Sequence, residues 1–185
     1  MNILILFGST EGQTRKIAMF VRDRLELAGH KVRSIAANGG IDVDVTLFDR
    51  IIIAASLHVG DYQPSVVDFV TAHHAALNRM GASFLSVSLS AAGNDTEDTE
   101  GLAKCVARFE SVTGWHPART EHVAGAFRFT RYDLMKRWAL KYIAWKKGQP
   151  TDSTTDHELT NWGTLASFAD TIASTKPAVP AHAGS

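Results

Sequence analysis

The stretch Met1-Asn-Ile-Leu-Ile-Leu-Phe-Gly-Ser-Thr-Glu-Gly-Gln-Thr14 decides the fold. Ile3 to Phe7 is an unbroken apolar run, the pattern of a strand buried on both faces of a parallel sheet. It runs into a short loop rich in hydroxyls and then into an amphipathic helix. Ser9, Thr10 and Thr14 supply hydroxyl donors, Glu11 and Gln13 lie between them, and Gly12 lets a ligand approach the backbone closely. The helix that follows aims its unpaired N–H groups and the positive end of its dipole at the same place. This arrangement predicts a phosphate cradle. A Walker A loop would need Gly-Lys-Ser/Thr, and a dinucleotide loop would need G-x-G-x-x-G; neither occurs here. A helix beginning near Gln13 turns Arg15 and Lys16 outward, so neutral donors do the holding, which suits one terminal monophosphate better than a triphosphate.

Outward from this stretch the chain alternates strand and helix. Ile17, Val21, Leu25 and Ala28 recur at helical spacing, and Gly29 closes that helix. Val32 to Ala36 reads as a second strand and Leu47 to Ser56 as a third, followed by the loop Ser56-Leu-His-Val-Gly-Asp-Tyr-Gln63. Pro64 opens a helix with Val66, Phe69, Val70 and Leu77 on one face. Ser83 to Ser90 is the fourth strand, and an acidic stretch through Glu100 leads into a helix with Leu102, Val106 and Phe109 inward, ended by Gly114. His122 to Phe127 is the fifth strand, and Trp162, Leu165, Ala169 and Ile172 mark the last helix. The expected fold is α/β, a doubly wound five-stranded parallel sheet of order 2-1-3-4-5 in one domain over residues 1–175. The tail from Lys176, residues 176–185, reads as disordered. In such a sheet ligands bind beyond the carboxyl ends of the strands at the switch point between the first and third. There the loops after strands one, three and four converge.

With 185 residues and 45% hydrophobic content, the chain has material for one substantial core. Lys+Arg and Asp+Glu balance at 19 each, so no global field favours nucleic acid. Cys105 is the single cysteine, which excludes an internal disulfide and cysteine-rich metal sites and fits a reducing, cytoplasmic setting. Cys105 itself reads as a small hydrophobe on a helix. No metal-ligand motif occurs, no apolar stretch approaches the ~20 residues of a membrane span, and the N-terminus reads as a strand and not a signal peptide.

The loop Phe7-Gly-Ser-Thr-Glu-Gly-Gln-Thr14 resembles the phosphate-loop signature of the flavodoxin family, which binds FMN. The resemblance implies an isoalloxazine ring lying across the second and third loops. Leu57, His58, Val59 and Tyr62 would then cover a ring face while the backbone of Ser56 to Gly60 approaches the flavin edge. Ser88, Leu89, Ser90, Ala91, Ala92 and Gly93, almost free of bulk, would let backbone N–H groups meet the pyrimidine oxygens. Two residues keep a plainer alternative: Tyr62 packing on its own helix, and His58 simply solvated.

Between the fifth strand and the last helix lies an insertion, about 128–159, that a minimal flavodoxin lacks. Leu134, Trp138, Tyr142 and Trp145 fall on one stripe of a helical pattern, flanked by Lys136, Arg137, Lys141 and Lys147. A basic amphipathic helix with tryptophans suits a membrane surface or a large, flat, acidic ligand; packing of the stripe on the domain is the alternative. The whole chain resembles the quinone-dependent, oxygen-independent protoporphyrinogen dehydrogenases of bacterial haem synthesis. That resemblance rests on Leu4 to Phe7, Gly12-Gln-Thr14, Ala55-Ser56 with Gly60 and Tyr62, and Trp115 with Pro117. It continues through Ala124-Gly-Ala126 with Arg128, Arg131-Tyr132, and Thr160 with Trp162. The stretch Asn94 to Glu100 departs from the pattern. The resemblance implies an FMN enzyme that oxidises protoporphyrinogen IX and passes electrons to a membrane quinone, peripheral on the inner face of the membrane. Arg128, Arg131, Arg137 and Lys141 would pair with propionates, and Trp138 and Trp145 would meet the macrocycle or lipid. A flavodoxin-like electron shuttle and an NAD(P)H:quinone reductase remain as other classes, and oligomeric state stays open.

Overall fold

A computed structural model describes residues 1–9, 12–38, 41–92, 96–127 and 157–175. Five strands form one parallel sheet: β1 (Asn2–Gly8), β2 (Lys31–Ala36), β3 (Arg50–His58), β5 (Ser83–Ser88) and β6 (Arg119–Ala124). Their order is β2-β1-β3-β5-β6. With the two-residue β4 (Asp61–Tyr62), which pairs antiparallel to β3, set aside, this is the expected 2-1-3-4-5.

Strand alternation explains why β1 must be apolar throughout. Ile3, Ile5 and Phe7 point to the face covered by α1 (Gln13–Leu27) and α4 (Trp162–Ser174), where they meet Ile17, Val21, Leu25, Leu165 and Phe168. Leu4 and Leu6 point to the other face, under α2 (Pro64–Met80) and α3 (Thr96–Thr113), among Val66, Phe69, Val70 and Phe109. Successive residues thus feed two cores, so a polar residue at any of these five positions would be buried. In β3 the run Ile51 to Ala55 divides between the same two clusters.

Two strand boundaries differ from expectation. Leu47 is not in the third strand: Val45–Leu47 is a short 3-10 turn, and the Asp44 carboxylate accepts the Thr46 N–H at 2.9 Å to start it. Leu47 is 67% exposed, and pairing with β1 begins only where Arg50 faces Ile3. The fifth strand begins at Arg119 and stops at Ala124, because the Gly125 N–H turns back to the Ser88 carbonyl. Ala126–Phe127 is a separate strand, β7, paired antiparallel with β8 (His157–Glu158). The two ends of the expected insertion are therefore zipped together at its root. The helical stripe expected between Leu134 and Trp145 and the tail 176–185 lie outside the described residues. Among the described residues, no helix is long and apolar enough to cross a membrane.

Candidate functional site

Strand register brings three loops to one edge. Gly8 faces Ala55, which sets the loop after β1 beside Ser56, and Ser56 faces Val87, which sets the loop after β3 beside Ser88. β1 lies between β2 and β3, so this edge is the switch point of the sheet.

In the first loop, the Gly12 N–H donates to Ser9 Oγ at 2.9 Å. The hydroxyl acts as acceptor there and keeps its own proton for donation. Gly12 sits at φ 92, left-handed backbone that glycine adopts without steric cost, and it swings the chain into α1. No side chain caps α1 at this end. Among the described residues, a helix of 15 residues thus starts at the loop from a glycine, with no side-chain hydrogen bond from its N-cap. Thr14 is 1% exposed, so a ligand meets its hydroxyl only by entering the loop. The Gln13 side-chain amide is committed elsewhere, donating to Thr160 Oγ1 at 2.8 Å, which leaves its main chain to face the loop. Lys16 lies over the Trp162 ring, 5.4 Å from its centroid, and Arg15 is exposed. Gly8 is tightly enclosed: a Cβ there would sit 2.5 Å from Val66 Cγ2. Thr10 and Glu11 lie outside the described residues.

In the second loop, Val59 (φ 52) and Gly60 (φ 88) form a two-residue connection between paired β3 and β4. Both left-handed angles mark the hairpin turn whose twist matches the strands. Gly60 adopts this freely, whereas a β-branched residue does not, and Val59 nevertheless projects with 86% exposure. His58 and Gly60 are exposed with it, and Leu57 is half-buried against the core under α2 and α3. The Ser56 hydroxyl accepts a hydrogen bond from the Gln63 side-chain amide.

Tyr62, expected to cover a ligand ring or to pack on its own helix, is placed in the core. It is 6% exposed, with its ring 5.1 Å from Phe84 and 4.9 Å from Phe109, both edge-on. Its hydroxyl is 2.7 Å from Ser86 Oγ, inside the core. Burial, only partly offset by that hydrogen bond, pushes the phenol pKa up to about 12. Tyr62 thereby pins the base of the Val59–Gly60 hairpin to the core.

The third loop is built inward. The Ala91 N–H donates to Ser88 Oγ at 3.1 Å and the Gly125 N–H to the Ser88 carbonyl at 3.0 Å. The polar groups of Ser88 thus hold the 3-10 turn Ser90–Ala92 in place, while Leu89, Ser90, Ala91 and Ala92 are half-buried. Gly93 lies outside the described residues, as do Arg128, Arg131, Arg137, Trp138, Lys141 and Trp145. Behind this turn a cavity of about 300 Å³ runs toward Asn161 and Thr164 at the start of α4. Among the described residues, no group of three or more His, Cys, Asp or Glu is gathered to hold a metal ion.

Two contributors take roles that the local sequence does not show. Thr160 accepts from Gln13 and donates to the Ala124 carbonyl at 2.7 Å, a bridge between positions far apart in the chain. Ser86, the partner of Tyr62, looks like any small residue in a strand. No local spacing marks either residue.

Comparisons with known proteins agree with this architecture. The flavodoxin domain family matches residues 4–154. The chain is 33% identical over 175 residues to the protoporphyrinogen IX dehydrogenase (quinone) of Escherichia coli strain K12, covering 94% of this chain and 95% of that one. It is 27% identical over 179 residues to a protein of the same name from Leishmania major, covering 96% of this chain and 77% of the other. Among solved structures, a flavodoxin from the domain Archaea superposes with a TM-score of 0.51 at 15% identity, over 94% of this chain and 96% of that one. Rubredoxin oxygen:oxidoreductase from Desulfovibrio gigas gives 0.52 at 15% identity, over 93% of this chain and 35% of that one. The matched span and the coverage of full-length relatives together place the chain in the flavodoxin domain family.

Proposed function

We propose that this chain is an FMN-dependent oxidoreductase that oxidises protoporphyrinogen IX to protoporphyrin IX, with a quinone as electron acceptor, in haem biosynthesis. One observation carries the cofactor assignment: the α1 N-terminus opens without a side-chain cap beside Ser9 and Thr14, at the switch point of the sheet. The donor set among the described residues fits a phosphate monoester, because it consists of main-chain amides and hydroxyls, and Lys16 lies over the Trp162 ring. The substrate assignment rests on relatives named protoporphyrinogen IX dehydrogenase (quinone), the Escherichia coli one being matched over nearly its full length.

FMN, when bound, supplies the two-electron redox chemistry. The work of the chain is positioning. Ser9, Thr14 and the opening amides of α1 hold the phosphate, and the helix dipole adds a favourable field. Val59, Leu57 and the backbone of Ser56 to Gly60 form one wall for the ring and keep water from it. The turn Ser90–Ala92, held by Ser88, provides small side chains where a flat polar edge must come close. Exposed positions such as His58 and Val59 leave one side of the site open to a large planar substrate.

The insertion contributes the remaining contacts in this account. Arg128, Arg131, Arg137 and Lys141 pair with propionates, and Trp138 and Trp145 seat the protein peripherally on a membrane, where quinone is found. The paired strands β7 and β8 support this reading by rooting the segment beside the carboxyl ends of the sheet.

The test is anaerobic turnover of FMN-loaded protein with protoporphyrinogen IX and a quinone, followed by porphyrin fluorescence. Porphyrin formation that requires both protein and quinone is expected. A rise no larger than that of the protein-free control would remove the substrate assignment.

A further inference from the structure

The cavity of about 300 Å³ between the turn Ser90–Ala92 and the start of α4 has a wall made by the outer edge of the sheet. In the order β2-β1-β3-β5-β6 the last strand has β5 as its one neighbour among the described residues, so the cavity lies beyond the loops that follow β1 and β3. Ala124 stands in register with Ser88, and the Gly125 N–H donates to the Ser88 carbonyl at 3.0 Å. Alternate residues of β6 therefore bond to β5, and His122 and Ala124 turn their own N–H and C=O groups to the outer edge. The Thr160 hydroxyl meets the Ala124 carbonyl there at 2.7 Å, which leaves the Ala124 N–H on the same side.

Across from this edge stand Asn161 and Thr164. Asn161 caps α4, its Oδ1 accepting the Thr164 N–H at 3.1 Å. A cap must offer its oxygen, so the amide N–H groups are the part of Asn161 left for a ligand. Two acceptors at the site, Asn161 Oδ1 and the Ala124 carbonyl, are thus used within the protein, while donors stay available: the Asn161 amide, the Thr164 hydroxyl and the outward N–H of Ala124. Among the described residues that line the cavity, none is Lys, Arg, Asp or Glu. Desolvation holds the His122 imidazole below its ordinary pKa, so this lining is uncharged at neutral pH. The volume is at the small end of ligand sites, room for a single ring system and not for a tetrapyrrole. Asn161 and Thr164 are exposed, which leaves the mouth open.

We propose that this cleft receives the head group of the quinone, whose carbonyl oxygens accept from the Asn161 amide, the Thr164 hydroxyl and the outward N–H of Ala124. A quinone carries acceptors, no donor and no charge, which is the complement of this lining; an acidic macrocycle would find no cation here. The exposed mouth lets an isoprenoid tail leave. The inference rests on the proposed reading of the chain as a quinone-reducing enzyme and adds where the acceptor sits. Ala91 and Ala92 line the cleft and also belong to the turn proposed at the flavin edge, so that turn alone stands between head group and ring. The large planar substrate approaches elsewhere, beside His58 and Val59, and the two ligands do not exclude one another.

The experiment titrates nitrogen-15-labelled, FMN-loaded protein with ubiquinone-1, whose ring is fully substituted and does not add to Cys105, and follows amide shifts by NMR. Saturable shifts of the Ala124 and Thr164 amides and of the Asn161 side-chain amide are expected. Asn161→Asp keeps the helix cap, because a carboxylate also accepts the Thr164 N–H, but it removes the donor and adds a negative charge. It is expected to weaken ubiquinone-1 roughly tenfold while FMN affinity stays within about twofold. Thr164→Val should weaken the quinone roughly fivefold and serves if Asn161→Asp does not fold. Shifts confined to His58, Val59 and Gly60 overturn the inference, and so does a folded variant that binds ubiquinone-1 as tightly as the parent. Anaerobic turnover of protoporphyrinogen IX that is indifferent to quinone is a different result and overturns the acceptor reading on which the inference rests.

Discussion

Replacing Tyr62 by Phe tests how the second loop is held. The substitution keeps the ring among Phe84 and Phe109 and deletes only the hydroxyl, which lies 2.7 Å from Ser86 Oγ. Ser86 is 0% exposed, so its hydroxyl is left without this partner, at a cost of about 1–2 kcal/mol near pH 8. The pH dependence sharpens the test. Burial raises the Tyr62 phenol from 10.0 to about 12, so the folded state holds the proton more tightly than the unfolded state. The stability linked to that proton is fully present below pH 10 and is lost as pH rises toward 12. By linkage, the loss at pH 11 is about 1.4 kcal/mol. Equilibrium unfolding in urea, followed by circular dichroism at pH 8 and pH 11, should therefore show the two proteins drawing together by about that amount. Groups common to both proteins cancel in the comparison. A difference that stays constant between pH 8 and pH 11 would refute the buried, proton-holding Tyr62 described above.

Other substitutions probe the remaining supports of the site. Gly8→Ala places a methyl 2.5 Å from Val66 Cγ2 and 2.9 Å from Gln63 Oε1, and it should destabilise the fold by about 1–3 kcal/mol; an unchanged melting temperature would show that the enclosure is loose. Val59→Asn replaces a β-branched residue at φ 52 by one that tolerates left-handed backbone and creates the favoured Asn-Gly turn. Stability should rise by about 1 kcal/mol while FMN binds more weakly; a protein no more stable than before contradicts the strain, and undiminished affinity contradicts the contact with the ring. Trp138→Ala combined with Trp145→Ala should reduce sedimentation with anionic liposomes, and equal partitioning of variant and parent would rule out the membrane-facing role.

Legibility of the sequence tracked the range of the interactions. The first strand was readable because a run as apolar as Ile3 to Phe7 has few other stable fates, and the two cores it feeds explain the absence of polar residues. The start of α1 near Gln13, the inward faces of α2 and α3 and the order of the long strands followed from period and alternation. Errors arose where burial depends on distant partners. Leu47 reads as the start of the strand that carries the run Ile51 to Ala55, yet pairing with β1 begins only at Arg50. The first residues of β6, Arg119 to Glu121, are polar and half-buried on an edge strand, so the strand seemed to begin later than it does. Tyr62 sits in a glycine-bearing loop, which suggests a ligand contact; what buries it is Phe109, brought in by α3 from another part of the chain. The Thr160 bridge had no local signature at all, since its partners are separated from it by 147 and 36 positions.

The central claim is that uncharged donors after β1 grip a mononucleotide phosphate, and titration of the apoprotein with FMN in parallel with its Thr14→Ala variant tests it most directly. The account predicts saturable binding of one FMN per chain, weakened by ~1 kcal/mol in the variant through a lost phosphate hydrogen bond. No binding, or binding that is indifferent to the Thr14 hydroxyl, would contradict it.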